Sequence, residues 1–373
     1  MRIPVSEVIR KLTTVAENPG KAVKESCEKT GKRAVGFVAP YGPEEIAYAA
    51  GCLPVGLWGA QVELRRVRTY LPPFACSIMQ SVVELAASGA YDGLAAVVIS
   101  SPCDTLKCIG QKWKGKCPAI HFAHPMNRTI GCANDYLTYE YKTIRTKLED
   151  ILDVEITDEA LSNAILLYNR YRALMREFTQ VARDHLKTIS PRVRHNIMKA
   201  SYFMDKAEYM TYIDDLIYGL RKEGAEIWNG KKVILSGITF EPAELLGILE
   251  FYNVAVCGDD LAHESRQFRT DVPYHKSPLQ ALAAQWQNQS ACSLAFDPFK
   301  SRVQHLLDLV RSTRADGLVI GVMKFCDPEE YDVPILMEAF EKAGIPLLCV
   351  EVDQQSTAFE QIKTRIQGFV ESL

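Results

Sequence analysis

The sequence predicts an α/β protein in which two doubly wound parallel-sheet domains are joined by a helical segment. Two observations lead to this fold class. Short, almost wholly apolar runs alternate with helical stretches in both halves of the chain, and a long charged stretch with helical periodicity separates the halves. Apolar strands that alternate with helices are typical of parallel sheets covered by helices on both faces.

The first half contains four apolar runs of strand length. In Leu94–Ser100 every residue except the last is apolar. A helix is expected to begin after Pro43, because Glu44 and Glu45 place negative charge at the positive end of the helix dipole. Another helix is expected over Ser77–Ala87. The predicted strands of this half are Ala34–Val38, Leu53–Trp58, Leu94–Ser100 and Pro118–Ala123.

The middle of the chain is predicted to be helical. From about Tyr136 to Thr188, apolar residues recur at steps of three and four, and Thr157 before two acidic residues marks a helix start. We place the domain boundary at Pro191, which gives an N-terminal domain over 1–190 and a C-terminal domain over 191–373. The second half is expected to hold the strands Lys232–Gly237, Val254–Cys257, Cys292–Phe296, Leu318–Val322 and Leu347–Val352, with helices at Glu241–Glu250 and Thr357–Ser372.

Composition excludes several classes of protein. The chain has 373 residues, of which 47% are hydrophobic and 24% are charged, as in an ordinary globular protein. The net charge of −3 gives no electrostatic reason to expect a nucleic-acid partner. No run approaches the roughly 18 apolar residues that a membrane span needs, and charges interrupt the N-terminus too early for a signal peptide. We therefore expect a cytoplasmic protein without membrane contact.

Three of the eleven cysteines share a setting that favours chemistry. Cys103 follows the strand Leu94–Ser100, Cys326 follows the strand Leu318–Val322, and Cys76 immediately precedes a predicted helix. Ligands of open α/β sheets bind beyond the carboxyl ends of the strands. Helix N-termini in addition stabilise thiolates through the helix dipole. The three cysteines are therefore candidates for metal binding.

Sequence spacing alone leaves other interpretations open, since the three cysteines are far apart and could be reactive thiols or buried packing residues. A closed zinc site would need a fourth ligand, for which His121 and His124 are candidates, although both could instead line a substrate cleft. Cys108 could support the three cysteines or be a spare. The other cysteines are expected to be packing residues or incidental: Cys27, Cys52, Cys117, Cys132, Cys257, Cys292 and Cys349.

Several common enzyme motifs are absent from the sequence. It contains no GxGxxG after its first strand and no GxxxxGK[ST], GxSxG or HExxH. This argues against a nicotinamide dehydrogenase, a P-loop ATPase, an α/β-hydrolase and a zinc metalloprotease.

Six motifs along nearly the whole chain resemble the 2-hydroxyacyl-CoA dehydratase family, which also contains subunits of benzoyl-CoA reductases. They are GFVAPYGPEEIAYAAGCLPVGLWG, FACSIMQS, SPCDTLK, DDLAHESRQFRTD, MKFCDPEEYDVP and GIPLLCVEVDQQ. The likeness is greatest to the smaller, β-type subunit. The resemblance implies two flavodoxin-like domains with a [4Fe–4S] cluster between them. It also implies that Cys76 and Cys103 of the first domain and Cys326 of the second hold the cluster, with a non-protein ligand on the fourth iron.

The resemblance also implies a reaction and partners. The family removes water from an (R)-2-hydroxyacyl-CoA to give a 2-enoyl-CoA, in anaerobic amino-acid fermentation. One low-potential electron on the thioester carbonyl gives a ketyl radical, which expels the neighbouring hydroxyl group. The resulting enoxy radical has a far more acidic β-hydrogen, and the electron is recovered at the end. An α-type subunit would complete a heterodimer and bind the acyl-CoA, and a separate ATP-dependent iron–sulfur activator would supply the electron. The β-type cluster is then a relay, and no catalytic acid or base is assigned to this chain.

Alternatives to this interpretation remain. A benzoyl-CoA-reductase-like subunit and a single-subunit double-cubane relative would use related clusters, and a metal-free α/β binding protein would use none. The acyl group is open among lactoyl, 2-hydroxyglutaryl, 2-hydroxyisocaproyl and phenyllactoyl. Arg266 and Arg269 could contact CoA phosphates or the partner subunit, or form a solvated or interface pair.

Overall fold

The computed structural model of the chain describes residues 2–38 and 40–373. Within these residues, eight strands form two four-stranded sheets in which every neighbouring pair is parallel. The strands are β1 (Ala34–Val38), β2 (Leu53–Leu57), β3 (Ala96–Ser101), β4 (Ala119–Ala123), β5 (Lys231–Gly237), β6 (Val254–Leu261), β7 (Gly317–Met323) and β8 (Leu347–Val352).

The two sheets have the same topology. Their strand orders are β2-β1-β3-β4 and β6-β5-β7-β8. In each sheet the first strand lies between the second and the third, so the chain winds outward in both directions from that strand. This reversal creates a crevice at the carboxyl ends of β1 and β3, and of β5 and β7. The predicted pair of doubly wound, flavodoxin-like sheets is confirmed.

Helices cover the sheets and form the segment between them. They are α1 (Val5–Glu17), α2 (Pro19–Thr30), α3 (Glu44–Ala49), α4 (Ser77–Ser88), α5 (Asp104–Gln111), α6 (Ala133–Leu152), α7 (Asp158–Ala182), α8 (Pro191–Ala200), α9 (Lys206–Glu223), α10 (Ala243–Phe251), α11 (Pro278–Asn288), α12 (Ser301–Thr313), α13 (Asp327–Ala343) and α14 (Glu360–Ser372). The Thr157 side chain accepts from the Ala160 N–H at 3.1 Å and caps α7, as the sequence predicts.

One predicted strand is wrong. Cys292–Phe296 is a loop rather than a strand. Ala291 just before it has a left-handed backbone (φ +53°), which interrupts an extended strand. Cys292 and Ala295 are nevertheless buried, because the loop packs into the core that covers one face of the first sheet. A short apolar run indicates burial but does not distinguish a buried loop from a strand.

The hydrophobic core is continuous between the sheets. The largest cluster of buried side chains contains Leu57 and Val97 from the first sheet together with Leu235 and Val319 from the second. Helices α1, α7, α8 and α9 pack against one another beside it. The carboxyl ends of the two sheets are thereby held in one arrangement, and the candidate cysteines lie at these ends.

Candidate functional site

Each of the three candidate cysteines is the N-cap residue of a helix. Cys76 precedes α4, Cys103 precedes α5 and Cys326 precedes α13. None of the three side chains forms a cap hydrogen bond. Burial raises the three thiol pKa values, and nearby backbone N–H groups at each helix start offset part of that rise; they belong to Cys76, Ile78 and Met79 for the first, to Thr105 and Leu106 for the second, and to Glu329 for the third. Orphan N–H groups at helix N-termini are suited to anionic ligands such as thiolates.

The three sulfurs approach one another at the junction of the two sheets. They lie close enough that a charge on one raises the pKa of its neighbours, since Cys103 acts on Cys76, and both act on Cys326. We call Cys76, Cys103 and Cys326 the cysteine triad. The triad brings together two residues of the first half of the chain and one of the second.

Gln354 and Ser77 fasten the two sheets beside the triad. The Gln354 N–H, just after β8, donates to the Ser77 hydroxyl at 2.9 Å, and the Gln354 side chain donates to the Trp58 carbonyl at 3.1 Å. The Ser77 hydroxyl also lies 3.2 Å from the sulfur of Met323, the last residue of β7. All four residues are buried. The helix that begins at Cys76 is therefore fixed against the strand that leads to Cys326.

The spacing of the triad does not suit a single metal ion. Zinc–sulfur bonds of roughly 2.3 Å would hold every pair of sulfurs within about 4.6 Å. Among the described residues, the group whose ligand atoms all lie within 4.8 Å of one another is His195, His263 and Glu264, and the triad does not form such a group. A wider set of three thiolates fits a polynuclear centre such as an iron–sulfur cluster.

The triad thiols ionise with difficulty in the metal-free chain. Burial raises the pKa of Cys76 to about 12, and it also raises the pKa of Cys103. The pKa of Cys326 lies well above its ordinary value because of burial first and of the Glu329 carboxylate second. Thiolates bind metals only after losing the proton, so these sites need a cation with a high affinity for sulfur.

A buried network of charged side chains supports the helix that begins at Cys326. Glu329 accepts from Arg302 at 2.7 Å and from Arg266 at 3.2 Å, and both arginines also bind Asp260 at the end of β6. Burial would raise the pKa of Glu329, but the Arg302 and Arg266 charges outweigh it and lower the pKa. Asp332 and Arg269 extend this ion network. Charge inside an apolar core is stable only when it is paired in this way.

Arg266 is neither a solvated residue nor free to contact a CoA phosphate or a partner subunit, which were the alternatives that the sequence left open. Its side chain is fully buried, and its guanidinium nitrogens bind Asp260, Glu329 and Ser293 inside the chain. Arg269 is part-buried and donates to Asp260 at 3.1 Å and to the His305 ring at 2.6 Å. Sequence reasoning missed the ion network; the two acids of DDLAHESR at the end of an apolar strand are the signal that points to it.

The two candidate histidines do not complete a four-ligand metal group with the triad among the described residues. His121 pairs through Nε2 with the Ser101 hydroxyl. His124 is buried between Phe122 and Trp286, and burial lowers its pKa to about 3 although the Tyr41 backbone raises it slightly. Cys108 is exposed on α5 and lies outside the triad.

In the close group of His195, His263 and Glu264, hydrogen bonds hold His195 and Glu264, whereas Nδ1 of His263 has no partner among the described residues. His195 donates from Nδ1 to Glu264 at 2.9 Å and from Nε2 to Glu241 at 3.1 Å. Burial lowers the pKa of His195, but the two carboxylates outweigh it and raise the pKa to about 9. A ring that donates from both nitrogens has no lone pair for a metal, so His195 is not a metal ligand in this arrangement.

The raised pKa of His195 predicts a pH-dependent stability. Because the folded pKa of about 9 exceeds the ordinary 6.5, the contribution is complete below pH 6.5 and is lost as pH rises through 9. It is on the order of 3 kcal/mol. Urea unfolding of wild type at pH 6.5 and 9.5 should show this loss, and His195→Gln should lack it. The exposed His275→Gln is the control; an equal pH dependence in wild type and His195→Gln would contradict the assignment.

Comparison with known proteins shows which protein family and which relatives the chain is similar to. The model described as "2-hydroxyglutaryl-CoA dehydratase, D-component" matches residues 40–373. The chain is 47% identical to a lactoyl-CoA dehydratase subunit beta from Anaerotignum propionicum, over 99% of each chain. It is 41% identical to an (R)-phenyllactyl-CoA dehydratase beta subunit from Clostridium sporogenes, over 96% of each. It is 25% identical to one of the subunits of benzoyl-CoA reductase from Thauera aromatica, over 92% of this chain and 91% of the relative.

No helix of the described residues is long and apolar enough to cross a bilayer.

Proposed function

Because the chain belongs to the 2-hydroxyglutaryl-CoA dehydratase D-component family, we propose that it is the β-type subunit of an (R)-2-hydroxyacyl-CoA dehydratase, a hydro-lyase that forms a 2-enoyl-CoA. The observation that carries this proposal is the full-length likeness, at 47% and 41% identity, to two relatives named as beta subunits of such enzymes. Those relatives act on different acyl groups according to their names, so the acyl group of this enzyme is left open.

In this proposal the cysteine triad holds a [4Fe–4S] cluster. The N-terminal domain (1–190) supplies Cys76 and Cys103, and the C-terminal domain (191–373) supplies Cys326. Three observations support this: the sulfurs meet at the junction of the sheets, their spacing exceeds that of a single-ion site, and each sits at a helix N-terminus. When bound, the cluster supplies a single electron at low potential.

The residues around the triad prepare the site for negative charge. The three sulfurs lie at helix N-termini, whose backbone N–H groups and dipoles favour thiolates and any further negative charge on the centre. The ion network holds the first turn of α13, and therefore Cys326, through Glu329. Apolar side chains of the shared core pack against all three cysteines and limit the access of water.

The chain acts as a relay between two partners in this proposal. The α-type subunit binds the acyl-CoA and carries its own cluster, and an ATP-dependent iron–sulfur activator delivers the electron in the cytoplasm of an anaerobic cell. Phe325 directly precedes Cys326, and Phe74 lies two residues before Cys76; they are 41% and 67% exposed. They leave apolar surface beside the triad that a partner can cover, as electron transfer over a short distance requires.

Benzoyl-CoA reduction is the second candidate function. It is favoured by the match to the Thauera aromatica relative, whose name is that of a benzoyl-CoA reductase, but that relative is 25% identical, far below the two dehydratase subunits.

An activity screen tests the proposed function. The chain is reconstituted anaerobically with its α-type subunit, the activator and ATP, and is offered lactoyl-, 2-hydroxyglutaryl-, 2-hydroxyisocaproyl-, phenyllactoyl- and benzoyl-CoA. We expect ATP-dependent formation of a 2-enoyl-CoA from at least one 2-hydroxyacyl thioester. Reduction of benzoyl-CoA without dehydration of any hydroxyacyl thioester would support the second candidate and contradict the first.

The isolated chain is expected neither to bind nor to hydrolyse ATP. Its sequence has no GxxxxGK[ST] loop to cradle phosphates. The measurement is phosphate release and nucleotide binding by the chain alone, with the activator as the positive control. ATP turnover by the chain above the level of a blank preparation would show that the division of labour between the subunits is different.

A further inference from the structure

Glu329 places a buried negative charge within one helical turn of the cysteine triad. Cys326 is the N-cap residue of α13 and Glu329 is the third residue of that helix, a separation at which side chains lie on the same face of a helix. The Glu329 N–H donates to the Cys326 carbonyl at 3.0 Å, and the Glu329 carboxylate acts on the Cys326 sulfur through space. Its side chain is 0% exposed, so solvent and salt do little to screen its charge.

The other acidic residues at the helix starts of the triad face water. Asp104 at the start of α5 has a side chain that is 90% exposed, and Asp327 and Glu330 on the first turn of α13 are also exposed. The first turn of α4 has no acidic residue. Exposed charges act through the high dielectric constant of water, whereas a buried charge does not. Among these acidic residues, Glu329 therefore exerts the strongest field on the triad.

Three donors hold the Glu329 carboxylate in one position. Arg302 donates to one of its oxygens at 2.7 Å, while Arg266 at 3.2 Å and the Ser293 hydroxyl at 2.5 Å donate to the other. Both arginine side chains are at most 3% exposed. Two guanidinium groups in contact with a buried carboxylate keep it ionised, because the paired charges are stable where a single one would not be. Its charge beside the triad is therefore fixed in place and in sign.

The ion network as a whole is positive. Its cations are Arg266, Arg269, Arg302 and Lys300, and its carboxylates are Asp260, Glu329 and Asp332. One positive charge is therefore in excess. A buried ion pair can often be replaced by apolar side chains of similar volume without loss of stability. Stability alone thus gives no reason for so many buried charges next to the triad, whereas an electrostatic effect on the triad does.

We infer that the fixed charges of Glu329 and of its two arginine partners set how readily the cluster at the triad accepts an electron. The inference rests on the proposed function, because it requires that cluster. Reduction adds one electron and no proton, so the charge of the cluster becomes more negative by one. The Glu329 carboxylate opposes this gain of charge, and the Arg302 and Arg266 guanidinium groups favour it. Their balance keeps the reduction potential between the values that either sign of charge alone would give.

A potentiometric titration of the anaerobically reconstituted full chain, followed by the paramagnetic signal of the reduced cluster, tests the inference. Glu329→Gln keeps the size of the side chain and removes its negative charge. The cluster should then be at least about tenfold easier to reduce, which for one electron is a shift of about 59 mV to more positive potential. Arg302→Gln removes a positive charge and leaves each carboxylate of the network with a cationic partner. Its shift should have the opposite sign.

Glu330→Gln is the matched control. Glu330 lies on the same helical turn but is exposed, and it accepts from the Phe325 N–H at 3.2 Å, which a glutamine can also do. Its potential should stay close to that of wild type, because water screens the charge that is lost. Opposite shifts in Glu329→Gln and Arg302→Gln separate an effect of charge from one of packing, since disturbed packing has no reason to follow the sign of the charge removed.

Four results would overturn the inference: shifts of the same sign in the two charge variants, no shift in either of them, loss of the cluster from either of them, or a shift in Glu330→Gln as large as that in Glu329→Gln. Iron and acid-labile sulfide are measured in every preparation. A folded wild-type chain that holds no cluster would contradict the proposed function itself. A wild-type chain with its cluster and variants of unchanged potential would contradict this inference and leave the proposed function standing.

Discussion

Replacing Cys326 by Ala is expected to lower the bound iron of the anaerobically reconstituted chain at least about tenfold. Loss of a residue that merely supports a metal ligand already costs 10–100-fold in metal affinity, and Cys326 is a proposed ligand itself. The triad offers three thiolates for the cluster, and among the described residues no histidine or carboxylate forms a compact metal group with them. Cys76→Ala and Cys103→Ala should have the same effect, measured as iron and acid-labile sulfide per chain.

Matched controls separate ligand loss from general damage. Cys257→Ala removes a buried thiol of β6, which lies outside the triad and whose neighbours are the Val233 carbonyl and the Thr313 side chain. Cys108→Ala removes an exposed thiol on the same helix that Cys103 caps. Both variants should keep the iron of wild type. Full cluster content in Cys326→Ala, or equal losses in the controls and the triad variants, would show that the ligands lie elsewhere.

The chain alone is expected to show no dehydratase turnover, and turnover should appear when the α-type subunit is added with activator and ATP. In the proposed relay, this chain holds neither the acyl-CoA nor the second cluster, so it cannot complete the reaction alone. It should form a stable one-to-one complex with that subunit, through an extensive and largely apolar interface. The measurement combines size-exclusion chromatography with the assay of chain, partner and mixture, each with reduced activator.

Two controls belong to this experiment. The mixture without ATP should be inactive, and the mixture with Cys326→Ala should be at least about tenfold slower than with wild type, since the relay is then broken. Turnover by this chain alone with reduced activator would refute the relay and place the reaction at the cysteine triad itself.

The sequence predicted the fold well because its signals are local. Each strand of a parallel sheet buried on both faces is an apolar run, and seven of the observed strands match predicted runs to within two residues at each end. β6 is the observed strand whose end differs more from the prediction, because the predicted run ends at Cys257. It continues to Leu261 through Asp259 and Asp260, whose buried charges are paired with arginines from distant segments and so give no apolar signal.

The placement of the candidate residues was predictable where it follows the topology, and not where it depends on partners distant in sequence. The positions of Cys103 and Cys326 follow from strand ends, and that of Cys76 from a helix start. The burial of Arg266 does not follow from the topology, because it requires Asp260, Glu329 and Ser293 to converge from three segments. The Cys292–Phe296 loop was mistaken for a strand for a related reason, since its burial comes from packing against another part of the chain.

The most direct test of the central claim is the metal content and the electronic spectrum of the full-length wild-type chain, reconstituted anaerobically with iron and sulfide. Iron and acid-labile sulfide should be bound in the stoichiometry of one [4Fe–4S] cluster per chain, and one-electron reduction should produce a paramagnetic signal that Cys326→Ala lacks. A single zinc ion per chain, or no metal retained by a folded wild-type chain, would contradict the account.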